Sequence, residues 1–186
     1  LILLVIPADH YGYTVDQKTV DLGESVDVLV VAYRTKAMEF NQADNTVFTV
    51  FDPKLDEKGQ PTGEFKRIMD KSELADSGCM FGLEYLIWLP QLEKFATLFM
   101  GTKSNRRTAP QLNDRLLKGA TLKSKLIETK KYTWTAIDVF ECSQISPMPT
   151  EAEVTEQYNK FINPKEASTE TIEEETTNSS GEGRSY

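Results

Sequence analysis

Apolar positions along this chain cluster in short runs separated by polar punctuation, a pattern of strands rather than long helices. The opening LILLVIPA (residues 1–8) is aliphatic until Pro7 stops it, and reads as a buried first strand; the remnant of a signal-peptide core stays open as the alternative. It is too short to span a bilayer. SVDVLVVAY (25–33) alternates at first and then turns wholly apolar, NTVFTVF (45–51) is β-branched and aromatic, and MFGLEYLIWLP (80–90) and KFATLFMG (94–101) continue the series. TLKSKLIET (121–129) and YTWTAIDVFEC (132–142), parted only by Lys130 and Lys131, read as a hairpin. Between the strands, DPKLDEKGQPTGE (52–64) reads as an exposed loop, with a short helix after it in EFKRIMDKSEL (64–74).

Two helices are marked by their ends. Thr108 followed by Gln111 has the spacing of a capping box, with Pro110 in the first turn, Leu112, Leu116 and Leu117 on one side, and Gly119 where a C-terminal glycine belongs. Thr150 and Glu153 repeat the N-terminal pattern, and Val154, Tyr158, Phe161 and Ile162 recur at helical spacing over 150–162. From Asn163 onward Glu, Ser and Thr dominate, and such a segment buries too little to offset its ordering entropy. The expectation is one domain over 1–162 and an acidic disordered tail over 163–186.

At 186 residues, 39% hydrophobic and 27% charged, the composition is globular, which excludes a wholly disordered chain. The formal net charge of -8 conceals a dipolar distribution. Residues 94–131 hold ten Lys or Arg against Asp114 and Glu128, a balance of +8, whereas 1–93 carry -8, 132–150 carry -2 and 151–186 carry -6. A polyanion responds to the local field, which reaches about 8 Å at physiological salt, so the basic block can attract phosphates while the whole protein stays acidic.

Aromatic residues flank that block. Tyr85, Trp88, Phe95 and Phe99 lie in the strands entering it, and Tyr132 and Trp134 in the strand leaving it, directly after Lys130 and Lys131. Single-stranded nucleic acid is held by a cationic track plus flat rings on which bases stack, and both ingredients stand here in adjacent segments. Alternation puts Tyr132, Trp134 and Ala136 on one face and Ile137 and Val139 on the other, one of which must be core. Several strands, a short helix and a closing strand pair match the element order of an OB-fold, a Greek-key barrel that binds oligonucleotides, although β-sandwiches also accommodate short strands.

The run GLEYLIWLPQLEKFATLFMGTKSNRRTAPQL through KKYTWTAIDVFEC resembles the phage-type OB-fold single-stranded DNA-binding proteins: an apolar strand ending in Leu-Pro, a second strand into a small polar Arg-containing turn, a helix, and a Lys-Tyr entry into the last apolar strand. The resemblance covers roughly residues 80–142. It implies a protein of the host cytoplasm that coats exposed strands during phage DNA replication or recombination. Lys103, Ser104, Arg106 and Arg107 would take the phosphate-contacting turn, and Tyr132 and Trp134 the base-stacking strand. Lys123, Lys125, Lys130 and Lys131 complete the expected cationic track. An acidic C-terminus is familiar in such proteins as a competitor for the basic groove and a recruiter of replication or recombination partners. This tail departs from that pattern, its acids concentrating at Glu173–Glu175 and its last residues reading GEGRSY.

Cofactor and catalytic signals are lacking. No glycine-rich phosphate loop, HExxH or GxSxG stands in the chain, so no enzyme, metal or cofactor is expected. His10 is the single histidine and reads as a surface or strand-end residue. Cys79 and Cys142 form no CxxC and read as buried free thiols. No membrane partner is expected, self-association is left open, and the alternative function is a phage structural or protein-binding module that does not bind nucleic acid.

Overall fold

The structure, a computed structural model, describes residues 2–5, 11–15, 18–164 and 168–171. The chain is mainly β. In order it forms β1 (Ile2–Val5), β2 (Tyr11–Val15), β3 (Lys18–Gly23), β4 (Ser25–Asn41), β5 (Thr46–Phe51), α1 (Gly63–Lys71), β6 (Cys79–Leu89), β7 (Lys94–Met100), α2 (Lys103–Asn113), β8 (Gly119–Glu128), β9 (Thr133–Cys142), α3 (Glu151–Ile162) and β10 (Ser168–Thr171). The strands make one open, largely antiparallel sheet in the order β10-β5-β4-β6-β7-β1-β2-β3, with β8 added to β4 and β9 to β8. The β1–β7 pairing is parallel.

The spine is β4, a strand of 17 residues with three partners. It pairs with β8 along Ser25–Leu29, with β6 along Leu29–Glu39 and with β5 along Lys36–Asn41. A bulge between Val30 and Ala32 inserts one extra residue, which switches the parity of everything beyond it. Before the bulge Val26, Val28 and Val30 face the main core; after it the even positions Ala32, Arg34 and Lys36 share the opposite face with Leu86 and Glu84 of β6. The change from alternating to continuous apolar residues in SVDVLVVAY is the imprint of that switch.

Each face has its own core. On one, Val28, Val30, Tyr85, Ile87, Leu98, Leu122 and Ile137 pack beneath Ala109 and Leu112 of α2. The Tyr85 hydroxyl lies 2.8 Å from the Ala109 carbonyl and 2.6 Å from Asn113 Oδ1, and burial pushes its pKa up. Further along this face α1 sets Phe65 and Ile68 against Ala37 and Cys79. On the opposite face α3, started by the Thr150–Glu153 capping box, presses Phe161 onto Leu29, Val31, Leu86 and Trp88. Burial of one such side chain is worth about 1.5–3 kcal/mol, so α3 belongs to the packed domain.

Several expectations are corrected. α2 starts at Lys103, not near Thr108: Thr102 is the N-cap and accepts from Asn105 N, and Pro110 lies inside the helix. After the C-cap at Asp114, Leu117, not Gly119, takes the left-handed conformation. Gly119 instead starts β8, where a Cβ would come within 2.7 Å of the Cys142 carbonyl. β2 and β3 were not foreseen. Ser168–Thr171, expected to be disordered, pair with Thr46–Thr49 of β5; residues 172–186 lie outside the described residues, as do Pro7 and His10. Among the described residues no ladder joins β7 to β9, so the expected barrel closure is not seen; β7 pairs with β1 on its outer edge. Both cysteines are free, Cys79 buried and Cys142 partly exposed. No helix among the described residues is long and apolar enough to cross a membrane.

Glu39 joins α1 to the sheet. Arg67 Nη1 donates to both its oxygens at 3.0 and 2.9 Å, and Lys71 and the Cys79 thiol also reach it. The Arg67 hydrogen bonds outweigh burial and hold the Glu39 carboxyl at about 2. Its unfolded value lies near 4.3, so this contribution is whole above that pH and is lost as pH falls from about 4.3 to about 2. Glu39→Gln is expected to lower Tm at neutral pH and to flatten the fall of Tm across that acid window, as thermal unfolding followed by circular dichroism would show.

Candidate nucleic-acid interface

The β8–β9 hairpin carries most of the expected site. Its register sets Lys123 opposite Asp138, Lys125 opposite Ala136 and Ile127 opposite Trp134. Residues directly opposite in an antiparallel pair point to the same side, so Lys123, Lys125 and Trp134 share one face while Leu122, Ile137 and Val139 turn into the core. Lys125 and Trp134 are diagonal neighbours about 7–8 Å apart by that geometry. Lys123 Nζ sits 4.9 Å from the centroid of the Phe140 ring, a second exposed aromatic on this face. At the hairpin tip the Thr129 amide donates to the Tyr132 carbonyl, leaving Lys130, Lys131 and Tyr132 in solvent.

α2 meets this hairpin at the edge of β9. Asn105, buried, accepts from the Ile137 amide of β9 through Oδ1 at 3.2 Å and so ties α2 to the edge of the hairpin. One residue earlier, Ser104 Oγ accepts from the Trp134 indole N–H at 2.7 Å. That bond fixes the ring while the side chain stays 37% exposed. It also brings the first turn of α2, with Lys103 and Arg107 exposed, beside the aromatic strand. The expected phosphate-contacting turn is therefore a helical turn, and Tyr132 stands in the hairpin turn just before β9.

The cations divide into two groups. Arg106 is turned inward: Nη1 donates to the carbonyls of Phe81 at 3.1 Å and Gly101 at 2.9 Å, and the guanidinium lies 4.0 Å from the Phe81 ring centroid. Arg115 is likewise tied to the Gly119 carbonyl. Lys103 has only a 3.9 Å contact with exposed Glu73, worth little in water. Lys123, Lys125, Lys130 and Lys131 form no ion pair among the described residues. Trp88 is buried, its indole N–H donating to the Pro147 carbonyl at 2.8 Å, and so is not available to a ligand.

Sequence reasoning missed a second polar cluster. Glu84, only 2% exposed, accepts from Arg34 Nε and Nη2 at 3.0 and 2.6 Å and from Lys36 Nζ at 2.7 Å. The Arg34 guanidinium is sandwiched between the rings of Phe51 at 3.9 Å and Phe161 at 4.1 Å, and Nη1 donates to the Phe161 carbonyl. Its signal was present: a lone acid inside the apolar GLEYLIWL, two strands further along the chain than Arg34 and Lys36, which stand at period two. Among the described residues no cluster of metal-ligating side chains occurs.

No family model, curated protein or solved structure matches this chain.

Ser104→Ala removes the acceptor that orients Trp134. The expected cost is about 0.5–1.5 kcal/mol of stability, with increased quenching of tryptophan emission by iodide. Unchanged iodide accessibility would mean that the hydroxyl does not hold the ring.

Proposed function

We propose that the protein binds single-stranded DNA without sequence specificity, laying the backbone along Lys123, Lys125, Lys130 and Lys131 and stacking bases on Trp134 and Tyr132. The carrying observation is the Trp134–Ser104 bond, which holds an exposed indole between the hairpin lysines and the first turn of α2. A ring fixed in advance loses little rotamer freedom on stacking, and lysines without an ion-pair partner among the described residues have no carboxylate to release on meeting phosphate. Lys103 and Arg107 extend the track; Arg106 supports it from within.

An OB-type architecture accords with this use. β4, β6, β7, α2, β8 and β9 follow the strand and helix order of that fold, with a bulged first strand shared between β6 and β8. The tip at 129–132 is then the loop between the last two strands, one of the loops by which such folds bind oligonucleotides. The phage replication or recombination setting rests on the resemblance of residues 80–142, and recruitment of partner proteins through the acidic tail belongs to the same proposal.

Oligo-dT titration followed by tryptophan emission tests the function. Quenching at low salt is expected; preference for duplex, or no binding, would favour a structural or protein-binding module. Replacing Lys130 and Lys131 with Ala should reduce the slope of log K against log salt by about 1.4, since each single-strand phosphate contributes roughly 0.7. Trp134→Ala should cost about 1–3 kcal/mol of binding and leave that slope unchanged.

A further inference from the structure

An apolar cavity of about 510 Å³ opens between α1 and α2, with Phe81 and Leu83 of β6 at its floor and Phe65, Met69 and Leu55 around it. That volume lies within the range of about 300–1,000 Å³ typical of small-ligand sites. Its polar groups are few. Thr35 and Asp52 stand at the lining, Asp52 Oδ1 accepting from the Thr35 amide and hydroxyl, and Asp52 adopts a φ of 46°, a strained conformation for a side-chain-bearing residue. On the other wall is Arg106, and Arg106 also lines a smaller polar cleft of about 220 Å³ that contains Lys103 and Thr102. Arg106 thus lines both an apolar chamber and a polar cleft. Only its Nη1 is occupied by backbone carbonyls, so Nε and Nη2 have no acceptor among the described residues.

We infer that this pair of cavities is a nucleotide subsite, which takes one unstacked base of the bound single strand between α1 and α2 and that nucleotide's phosphate at Arg106 and Lys103. The inference rests on the single-strand reading and extends its path. Ser104, which holds Trp134, and Arg106 belong to the same turn of α2, so a strand leaving Trp134 crosses that turn and arrives at the cleft. A base suits the chamber better than an aliphatic side chain does. Its flat faces suit the apolar lining, its edge donors match the Asp52 carboxylate, and its covalent neighbour is an anion that Nε and Nη2 of Arg106 can take. Glu73 lies in the cleft as well, 63% exposed at its side chain, and rotates into solvent when phosphate takes Lys103.

The test uses the full chain with its methionine methyl groups labelled with carbon-13, titrated with oligo-dT. Met69 lines the chamber and Met80 the cleft, whereas Met148 follows the Pro147 that holds Trp88. Both Met69 and Met80 resonances are expected to shift as tryptophan emission is quenched, with Met148 unmoved. Leu55→Trp, at a lip position 61% exposed and so tolerant of change, should fill the chamber, cancel the Met69 shift and weaken binding of a labelled oligo-dT by anisotropy about 5- to 10-fold. Quenching with a silent Met69 and unchanged affinity in Leu55→Trp would overturn the subsite and leave single-strand binding standing. Absence of any oligo-dT binding would overturn both.

Discussion

One extra residue in β4 organises the molecule. Because a strand presents alternate side chains to alternate faces, a regular strand of this length would keep each parity on one face throughout. The bulge at Val31 reverses the parity midway, so the first half of β4 feeds the core under α2 and the second half presents Arg34 and Lys36 to the face that α3 covers. It also adds local twist, which allows a single strand to serve β8 at one end and β5 at the other.

Charge is used in two ways on this framework. Glu84 with Arg34 and Lys36 is a desolvated set whose members satisfy one another, and removing one partner would leave a buried charge uncompensated. The lysines of the hairpin are the reverse case: solvated and without an ion pair among the described residues, Lys123 and Lys125 on one strand face and Lys130 and Lys131 at the tip. The same residue types thus act as fasteners on one part of the sheet and as an electrostatic surface on another. Arg106 stands between these roles, with Nη1 committed to backbone carbonyls while the residue lines two cavities.

Strand positions were legible because their apolar residues must be buried wherever the strands lie: the runs at 80–90, 94–101 and 132–142 correspond closely to β6, β7 and β9. The alternation in YTWTAIDVF separates two faces without saying which is core; Ile137 is buried and Trp134 exposed, although Ala136 on the Trp134 face is buried as well. Elements held by backbone pairing rather than by side-chain burial escaped notice. STET of β10 has no apolar residue to betray it, whereas β2 and β3 interleave Tyr, Val and Leu with Gly and charged residues, and Leu22 of β3 joins the main core. The start of α2 was misplaced because Thr102 and Thr108 are equally good caps by composition; what decides between them is tertiary, the reach of Asn105 to Ile137 and of Ser104 to Trp134. The inward turn of Arg106 was invisible for the same reason, as its acceptors are main-chain carbonyls that any sequence supplies.

The seclusion of Glu84 has a practical corollary. Mobile ions screen charges they can approach, and at 1 M salt the screening length shrinks to about 3 Å. Hairpin lysines in open water lose their long-range pull under those conditions, whereas the Glu84 cluster, walled off by Phe51 and Phe161, keeps its attraction. Concentrated electrolyte therefore mutes the surface without loosening the clasp on α3, and the folded protein persists in a medium where its basic face has fallen silent.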